Sequence, residues 1–121
     1  MTYLLLLGKI LFGGYFLKNA YNHFKNRAGL TGYATSKGVP MPAFAVAGTG
    51  VLLALGGLGV LFGRYEQVAL ACIAVFLIGV TFTMHQYWKT TDPMARMGEE
   101  VNFYKNLALL GAVLMLLALT P

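Results

Sequence analysis

The chain has 121 residues, of which 58% are hydrophobic and only 11% are charged, whereas a soluble domain usually carries about 25% charged residues. We therefore expect a single membrane-embedded domain over residues 1–121, without a separate soluble domain. The net charge of +5 does not indicate nucleic-acid binding, because the basic residues flank apolar runs, as the positive-inside rule requires.

Four mostly apolar runs follow one another along the chain. A hydrocarbon core about 30 Å thick needs about 20 helical residues to cross it, and lipid leaves no other way to satisfy the backbone. We expect spans at about 2–24, 42–62, 68–87 and 101–119. The first run lacks the basic start and the cleavage site of a signal peptide, so we expect it to remain. In the second run, Gly59 and Gly63 predict a close helix contact of the small-xxx-small type.

The two longer loops also contain helix signals. Residues 30–37 predict a short interfacial helix that stops at Gly38 and the prolines after it. In the third loop, Asp92 followed by Pro93 is typical of a helix start and predicts a second short helix. The predicted fold is all-α: a four-transmembrane-helix bundle with short interfacial helices in the first and third loops.

The basic residues predict the orientation. With four spans, the first and third loops share one side of the membrane, and most lysines and arginines belong to that side or can reach it. They are Lys18, Lys25, Arg27, Lys37, Lys89, Arg96 and Lys105. The other side has Arg64, with Lys9 near it. We therefore expect both loops in the cytoplasm and both termini outside.

Polar residues of three spans converge on that same side. Helical spacing groups them on one face of each helix, which should turn from lipid toward the bundle because an unpaired polar group in hydrocarbon is costly. The candidate site residues are Asn19, His23, His85, Trp88, Glu99, Asn102, Lys105 and Asn106. Lys105 lies about one turn inside its span and needs water, a snorkelling route or a carboxylate, for which Asp92, Glu99 and Glu100 are candidates.

Each candidate also has a structural interpretation. His23 and His85 are either interfacial histidines satisfied by water and backbone carbonyls or a functional pair that relays protons; we predict no metal, because spacing places no third ligand. Trp88 with neighbouring tyrosines fits an interfacial aromatic belt. The single cysteine, Cys72, excludes an internal disulfide and a cysteine-based zinc cluster. The sequence contains no recognised catalytic motif, so whether the chain is an enzyme is left open.

With these residues in view, the chain resembles the DoxX family of small bacterial and archaeal membrane proteins almost from end to end. The matching features are residues 33–42 (YATSKGVPMP), Gly56-Gly57, residues 81–85 (TFTMH), Trp88, Asp92-Pro93 and residues 102–111 (NFYKNLALLG). Many members end the first span with a small residue and then a lysine. Here Ala20 and His23 occupy those places, as in a subgroup with an Asn-His-Phe ending, so no role of that lysine carries across.

The resemblance implies a four-helix bundle in the cytoplasmic (inner) membrane and an association with redox systems. The first hypothesis is a small membrane subunit of a quinone-linked oxidoreductase, with His85 or His23 as proton donor, Trp88 against the quinone ring, and Lys105 with Asn106 at a carbonyl. We expect no intrinsic cofactor; a quinone is the candidate ligand. Expected partners are the lipid bilayer and either redox subunits or a second copy of the chain. The alternatives are a non-enzymatic scaffold or assembly protein and, less favoured, a small-solute carrier that would need a dimer.

Overall fold

The computed structural model describes residues 2–121, and these fold entirely into helices and their connections. Five α-helices follow in order: α1 (Thr2–Lys25), α2 (Arg27–Ser36), α3 (Pro42–Phe62), α4 (Glu66–Met84) and α5 (Pro93–Leu119). A short 3-10 turn (Tyr87–Lys89) lies between α4 and α5. No strand occurs in this part of the chain, and the all-α prediction is confirmed.

Three stretches are long and apolar enough to cross a membrane: Pro42–Phe62, Glu66–Lys89 and Pro93–Leu119. The α1 helix is not one of them, although it has 24 residues. Lys9 and Lys18 interrupt its apolar sequence and lower its mean hydropathy. The structure therefore gives an all-helical protein with three candidate membrane spans among the described residues.

The helices pack in an open series. The α1 helix packs on α3, α3 on α4, and α4 on α5, while the short α2 lies against α3. The centre of the bundle is filled by apolar side chains from the four long helices, which are Phe16, Leu53, Ile73, Leu77 and Val113. Because lipid is as apolar as these side chains, the fold depends on close packing more than on exclusion of water.

Glycines of α3 allow that close packing on two sides of the helix. A Cβ atom on Gly57 would lie 3.0 Å from the carbonyl oxygen of Gly13, so α1 and α3 approach backbone to backbone. On another side, a Cβ atom on Gly56 would lie 3.0 Å from the carbonyl oxygen of Ala69 in α4, and one on Gly59 would also overlap Ala69.

Gly63 has a different role from the one predicted. It is the C-cap of α3, with a φ angle of +65°, and the next N–H, that of Arg64, donates to the carbonyl oxygen of Gly59 at 3.0 Å. A left-handed residue at this place is what glycine accommodates without strain. The predicted pairing of Gly59 with Gly63 is therefore wrong: Gly59 packs against α4, whereas Gly63 ends the helix.

One of the two predicted loop helices forms as a separate helix. The first is confirmed as α2, which begins three residues earlier than predicted. The second does not form separately: the Ala95 N–H donates to Oδ2 of Asp92 at 2.9 Å, and the helix that begins there continues unbroken to Leu119. Since no residue after Pro93 breaks the helix, the predicted short helix is the first part of α5. The third predicted span, 68–87, lies within the apolar stretch Glu66–Lys89, but its α-helix ends at Met84 and the 3-10 turn follows.

Candidate functional site

A cavity of about 460 Å³ lies where α1, α3 and α4 meet α2 and α5. This volume falls within the range of about 300–1,000 Å³ that is usual for small-molecule sites. Its polar lining is contributed by Tyr15, Asn19, Asn22, His23, Tyr33, Thr49, Thr83, His85, Lys105 and Asn106. Its apolar wall comes mainly from α3 and α4 and includes Leu52, Val75, Phe76, Leu77 and Val80. Five of the eight predicted site residues therefore line one cavity, namely Asn19, His23, His85, Lys105 and Asn106.

The ring of His23 is fixed by α3. Its Nδ1 atom lies 3.0 Å from the carbonyl oxygen of Val46 and 3.2 Å from the hydroxyl of Thr49. A carbonyl oxygen can only accept a hydrogen bond, so Nδ1 carries the hydrogen when the ring is neutral. The Nε2 atom then has a free lone pair. This histidine is satisfied by a backbone carbonyl and still offers an acceptor.

His85 is held in the same way by a carboxylate. It is the C-cap residue of α4, and its Nδ1 atom lies 3.3 Å from Oε2 of Glu99 in α5. The carboxylate fixes the neutral ring with the hydrogen on Nδ1 and leaves Nε2 as the acceptor. His23 and His85 thus have the same tautomer, each set by an acceptor behind the ring.

Glu99 joins three helices at the rim of the cavity. Its Oε1 accepts a hydrogen bond of 3.1 Å from the hydroxyl of Tyr33, and Nζ of Lys37 lies 3.4 Å from its Oε2. Only 12% of the Glu99 side chain is exposed, so these interactions are less screened than those of a surface ion pair. Burial of the phenol, together with the Glu99 carboxylate, raises the pKa of Tyr33 above its ordinary value. The neutral phenol therefore remains the donor.

Lys105 does not pair with any of the three carboxylates that sequence analysis named as candidates. Its Nζ donates to the hydroxyl of Tyr15 at 3.3 Å and lies 5.9 Å from the centre of the Tyr15 ring. Glu99 is paired with Lys37 and His85 instead, and neither Asp92 nor Glu100 forms an ion pair within the described residues. Of the three alternatives given for Lys105, a carboxylate partner is not the one that the structure shows; water and a snorkelling route stay predictions.

Asn106 and Asn102 have different surroundings. Asn106 is 6% exposed and lines the cavity. Its amide makes no hydrogen bond with any other residue of the range 2–121, so it is available to a ligand. Asn102 is half-buried and does not contribute to the lining.

Trp88 lies outside the cavity lining. It stacks edge-to-face with Phe103 and Tyr87, with ring centres 5.5 and 5.4 Å apart, and Tyr87 also faces Tyr104 at 6.0 Å. The Trp88 residue is 45% exposed. This arrangement fits the interfacial aromatic belt better than a contact with a ligand in the cavity.

Sequence analysis did not single out three of the polar groups that build the site: Tyr33, Lys37 and Thr49. Tyr33 and Lys37 are four residues apart at the end of α2, a spacing that places two side chains on one helix face. That spacing could have identified them. Thr49 lies inside an apolar span without any periodic signal, and only the packing of α1 on α3 brings it to His23. Within residues 2–121, no three His, Cys, Asp or Glu side chains are close enough to hold a metal ion.

The fold and the cavity together define a small helical membrane protein with a polar, ligand-sized cavity at one end of its bundle. A comparison with protein families identifies which one: the DoxX family model matches residues 4–86, and the chain belongs to the DoxX family. This match covers α1 to α4 and both histidines, whereas Glu99, Lys105 and Asn106 in α5 lie beyond it. Neither the curated proteins nor the solved structures gave a match.

Proposed function

We propose that the chain crosses the cytoplasmic membrane four times, with α1 as the additional span and both termini outside. A helix of 24 residues is about 36 Å long, which exceeds the hydrocarbon thickness of about 30 Å. The charge of Lys9 within α1 is met by Glu66 at 3.5 Å. The excess of lysine and arginine around the cavity end favours a cytoplasmic location for that end.

Cysteine labelling tests this topology. Single cysteines at position 26, which is exposed, and at position 90, which is half-buried in the third loop, in a chain with Cys72→Ser, should react with a membrane-impermeant maleimide only after the cell membrane is opened. A single cysteine at position 65, in the α3–α4 turn, should react in intact cells. Labelling of positions 26 and 90 from opposite sides would contradict the four-span arrangement.

We further propose that the protein is a membrane subunit of a quinone-linked oxidoreductase system and that the cavity receives the quinone ring. The observation that carries this proposal is the pair of histidines with free Nε2 atoms beside an apolar wall. A quinone ring is flat and apolar, with hydrogen-bond acceptors at opposite ends that become hydroxyl groups on reduction. The apolar wall suits the ring, and the Nε2 atoms suit its hydroxyl groups.

The hydrogen-bond donors of the cavity fit the oxidised quinone. Lys105 and Asn106 would hold a carbonyl oxygen, and the hydroxyl of Tyr15, which accepts from Lys105, retains its own hydrogen to donate. Reduction of a quinone to a quinol consumes two electrons and two protons. A partner redox protein would supply the two electrons. His85, whose orientation Glu99 fixes, and His23 would each take a proton from water at Nε2 and deliver it to one quinone oxygen, which accounts for both protons.

A scaffold role is the second candidate, and the exposed aromatic cluster around Trp88 favours it. The cluster lies outside the cavity and adjoins Arg96, whose guanidinium lies 5.7 Å from the Tyr87 ring centre. Aromatic and arginine side chains are common at protein interfaces. A protein that serves only as a scaffold would keep its partners after the cavity histidines are replaced.

Titration with the reduced, quinol form of a short-chain quinone analogue in neutral detergent tests the quinone proposal, because the Nε2 acceptors bond to the hydroxyl groups of the quinol. We expect saturable binding to the wild-type protein and about tenfold weaker binding to His85→Ala, which is the loss of one good hydrogen bond. Gln86→Ala is the matched control, because Gln86 bonds only within its own chain segment, to the Phe82 carbonyl oxygen. Two results would refute a quinone site here. One is the absence of saturable binding to the wild type. The other is equal binding of the analogue to His85→Ala, His23→Ala and Gln86→Ala.

A further inference from the structure

Lys105 is a cation within an apolar helix, and no carboxylate neutralises it. The ion pairs of the described residues are Lys9–Glu66 and Lys37–Glu99, and the neutral His85 donates a hydrogen bond to Glu99. The Lys105 Nζ atom donates to the neutral hydroxyl of Tyr15 and lies 5.9 Å from the centre of the Tyr15 ring. Twelve residues separate it from the start of α5 at Pro93, or about 18 Å of helix. A charge at such a position is costly without a partner, and intramembrane charges commonly mark ligand sites.

The lysine stands at an opening of the bundle. The α1 and α5 helices are not among the closely packed pairs, and the contact between Lys105 and Tyr15 spans the space between them. Lys18 follows Tyr15 by three residues on α1, is exposed, and forms no ion pair within the described range. Neither Lys18 nor Lys105 forms an ion pair within the described residues, and the opening between their helices, α1 and α5, adjoins the cavity because Tyr15 and Lys105 line it.

The polar groups beside the opening are mainly hydrogen-bond donors. The residue Asn106 is 6% exposed, lines the cavity, and has no hydrogen-bond partner for its side-chain amide among residues 2–121. The Tyr15 hydroxyl, which accepts from Lys105, can donate its own hydrogen. An ammonium group, a phenol and an amide around one opening suit an anionic oxygen better than a neutral one, because charge-assisted hydrogen bonds are the stronger ones. Beyond them the wall of Leu52 and Val80 is apolar.

We propose that the opening between α1 and α5 binds the acidic headgroup of an amphiphile, a carboxylate or a phosphate, whose apolar chain lies along the cavity wall. Lys105 is the main contact of the headgroup, with Lys18, Tyr15 and Asn106 around it. The proposal shares the cavity with the quinone proposal but does not depend on it. It rests on an uncompensated charge rather than on the histidines.

Binding of cis-parinaric acid and of its methyl ester, followed by their fluorescence in neutral detergent, tests this inference. The two probes have the same chain, and only the acid carries a charge. We expect the acid to bind the wild-type protein about tenfold more tightly than the ester. Lys105→Met should remove that preference, whereas Lys105→Arg should retain it. Lys25→Met is the control for the loss of a lysine, because Lys25 contacts only the exposed Tyr21 ring at 5.5 Å.

Competition identifies the source of the headgroup. Displacement of the probe by dodecanoate alone indicates a free acid, and displacement by phosphatidylglycerol but not phosphatidylcholine indicates a phospholipid. Equal binding of acid and ester to the wild type, or an acid preference that persists in Lys105→Met, overturns the proposal. Because Lys105 is also assigned to the quinone carbonyl, His85→Ala separates the two proposals: it should weaken binding of the quinol analogue and leave the preference for the acid unchanged.

Discussion

Nδ1 of His85 lies 3.3 Å from Oε2 of Glu99, and this contact joins the end of α4 to the second turn of α5. The same carboxylate holds Tyr33 and Lys37 of α2. One side chain therefore orients a cavity histidine and fastens the short helix that covers the cavity.

Glu99→Gln should loosen α2 and destabilise the protein. The neutral amide cannot pair with Lys37 or orient His85 as a carboxylate does, and hydrogen bonds to charged groups contribute about 1.5–3 kcal/mol each. We expect a loss of about 1–3 kcal/mol in the free energy of unfolding and faster tryptic cleavage at Arg27. Glu100→Gln is the matched control, since Glu100 forms no ion pair within residues 2–121. Equal behaviour of the two variants would show that Glu99 does not fasten α2.

Gly57→Ala should separate α1 from α3. The added Cβ atom would meet Cγ of Leu17 at 2.8 Å and the carbonyl oxygen of Gly13 at 3.0 Å, and such overpacking costs about 1–3 kcal/mol. The comparison is Gly48→Ala in the same helix, where nothing lies within 4 Å of the new atom. Thermal unfolding in detergent should show a lower Tm for the first variant and an unchanged or higher Tm for the second. The reverse order would contradict the close contact at Gly57.

Thr81→Val should stabilise the protein. Thr81 is 1% exposed, and its hydroxyl has no hydrogen-bond partner among the described residues. A buried polar group without a partner costs about 1–3 kcal/mol, which the isosteric valine avoids. Thr83→Val serves as the control, because the Thr83 hydroxyl donates to the Gly79 carbonyl oxygen at 2.7 Å and should show no such gain. Unfolding titrations in mixed micelles measure the stability of both variants. A loss of stability in Thr81→Val would mean that the Thr81 hydroxyl is hydrogen-bonded.

The ion pair of Lys9 and Glu66 should contribute modestly at the opposite end of the bundle. It connects α1 to the start of α4 at 3.5 Å, and both side chains are partly exposed. Exposed pairs contribute about 0.2–1 kcal/mol, so a double-mutant cycle with Lys9→Met and Glu66→Gln should give a coupling in that range. A coupling near zero would show that α1 is held by its packing on α3 alone.

The sequence predicted much of the fold because membrane helices follow from length and hydropathy. The helical content, the short helix of the first loop and the Asp92 cap are confirmed. The separate third-loop helix is wrong, since no proline lies between Pro93 and Leu119 and the helix continues through Gly98. The polar side chains of α1, α4 and α5 were predicted to converge from helix direction and spacing, and five of the eight line one cavity.

What the sequence could not supply is which groups pair. The preference of Glu99 for His85 and Lys37 over Lys105 depends on how α2 folds back over the bundle. The position of Thr49 beside His23 depends on the contact at Gly57. Trp88 leaves the cavity because α4 ends at Met84 and the chain then turns. Each of these contacts depends on tertiary packing, which leaves no periodic pattern in the sequence.

The unbroken course of α5 has a mechanical consequence. Its 27 residues extend about 40 Å, which is about 10 Å more than the hydrocarbon layer is thick. The helix carries Glu99 near its start and Lys105 almost two turns later, without a hinge between them. A tilt of α5 therefore moves Glu99 and Lys105 together, because the helix between them is unbroken.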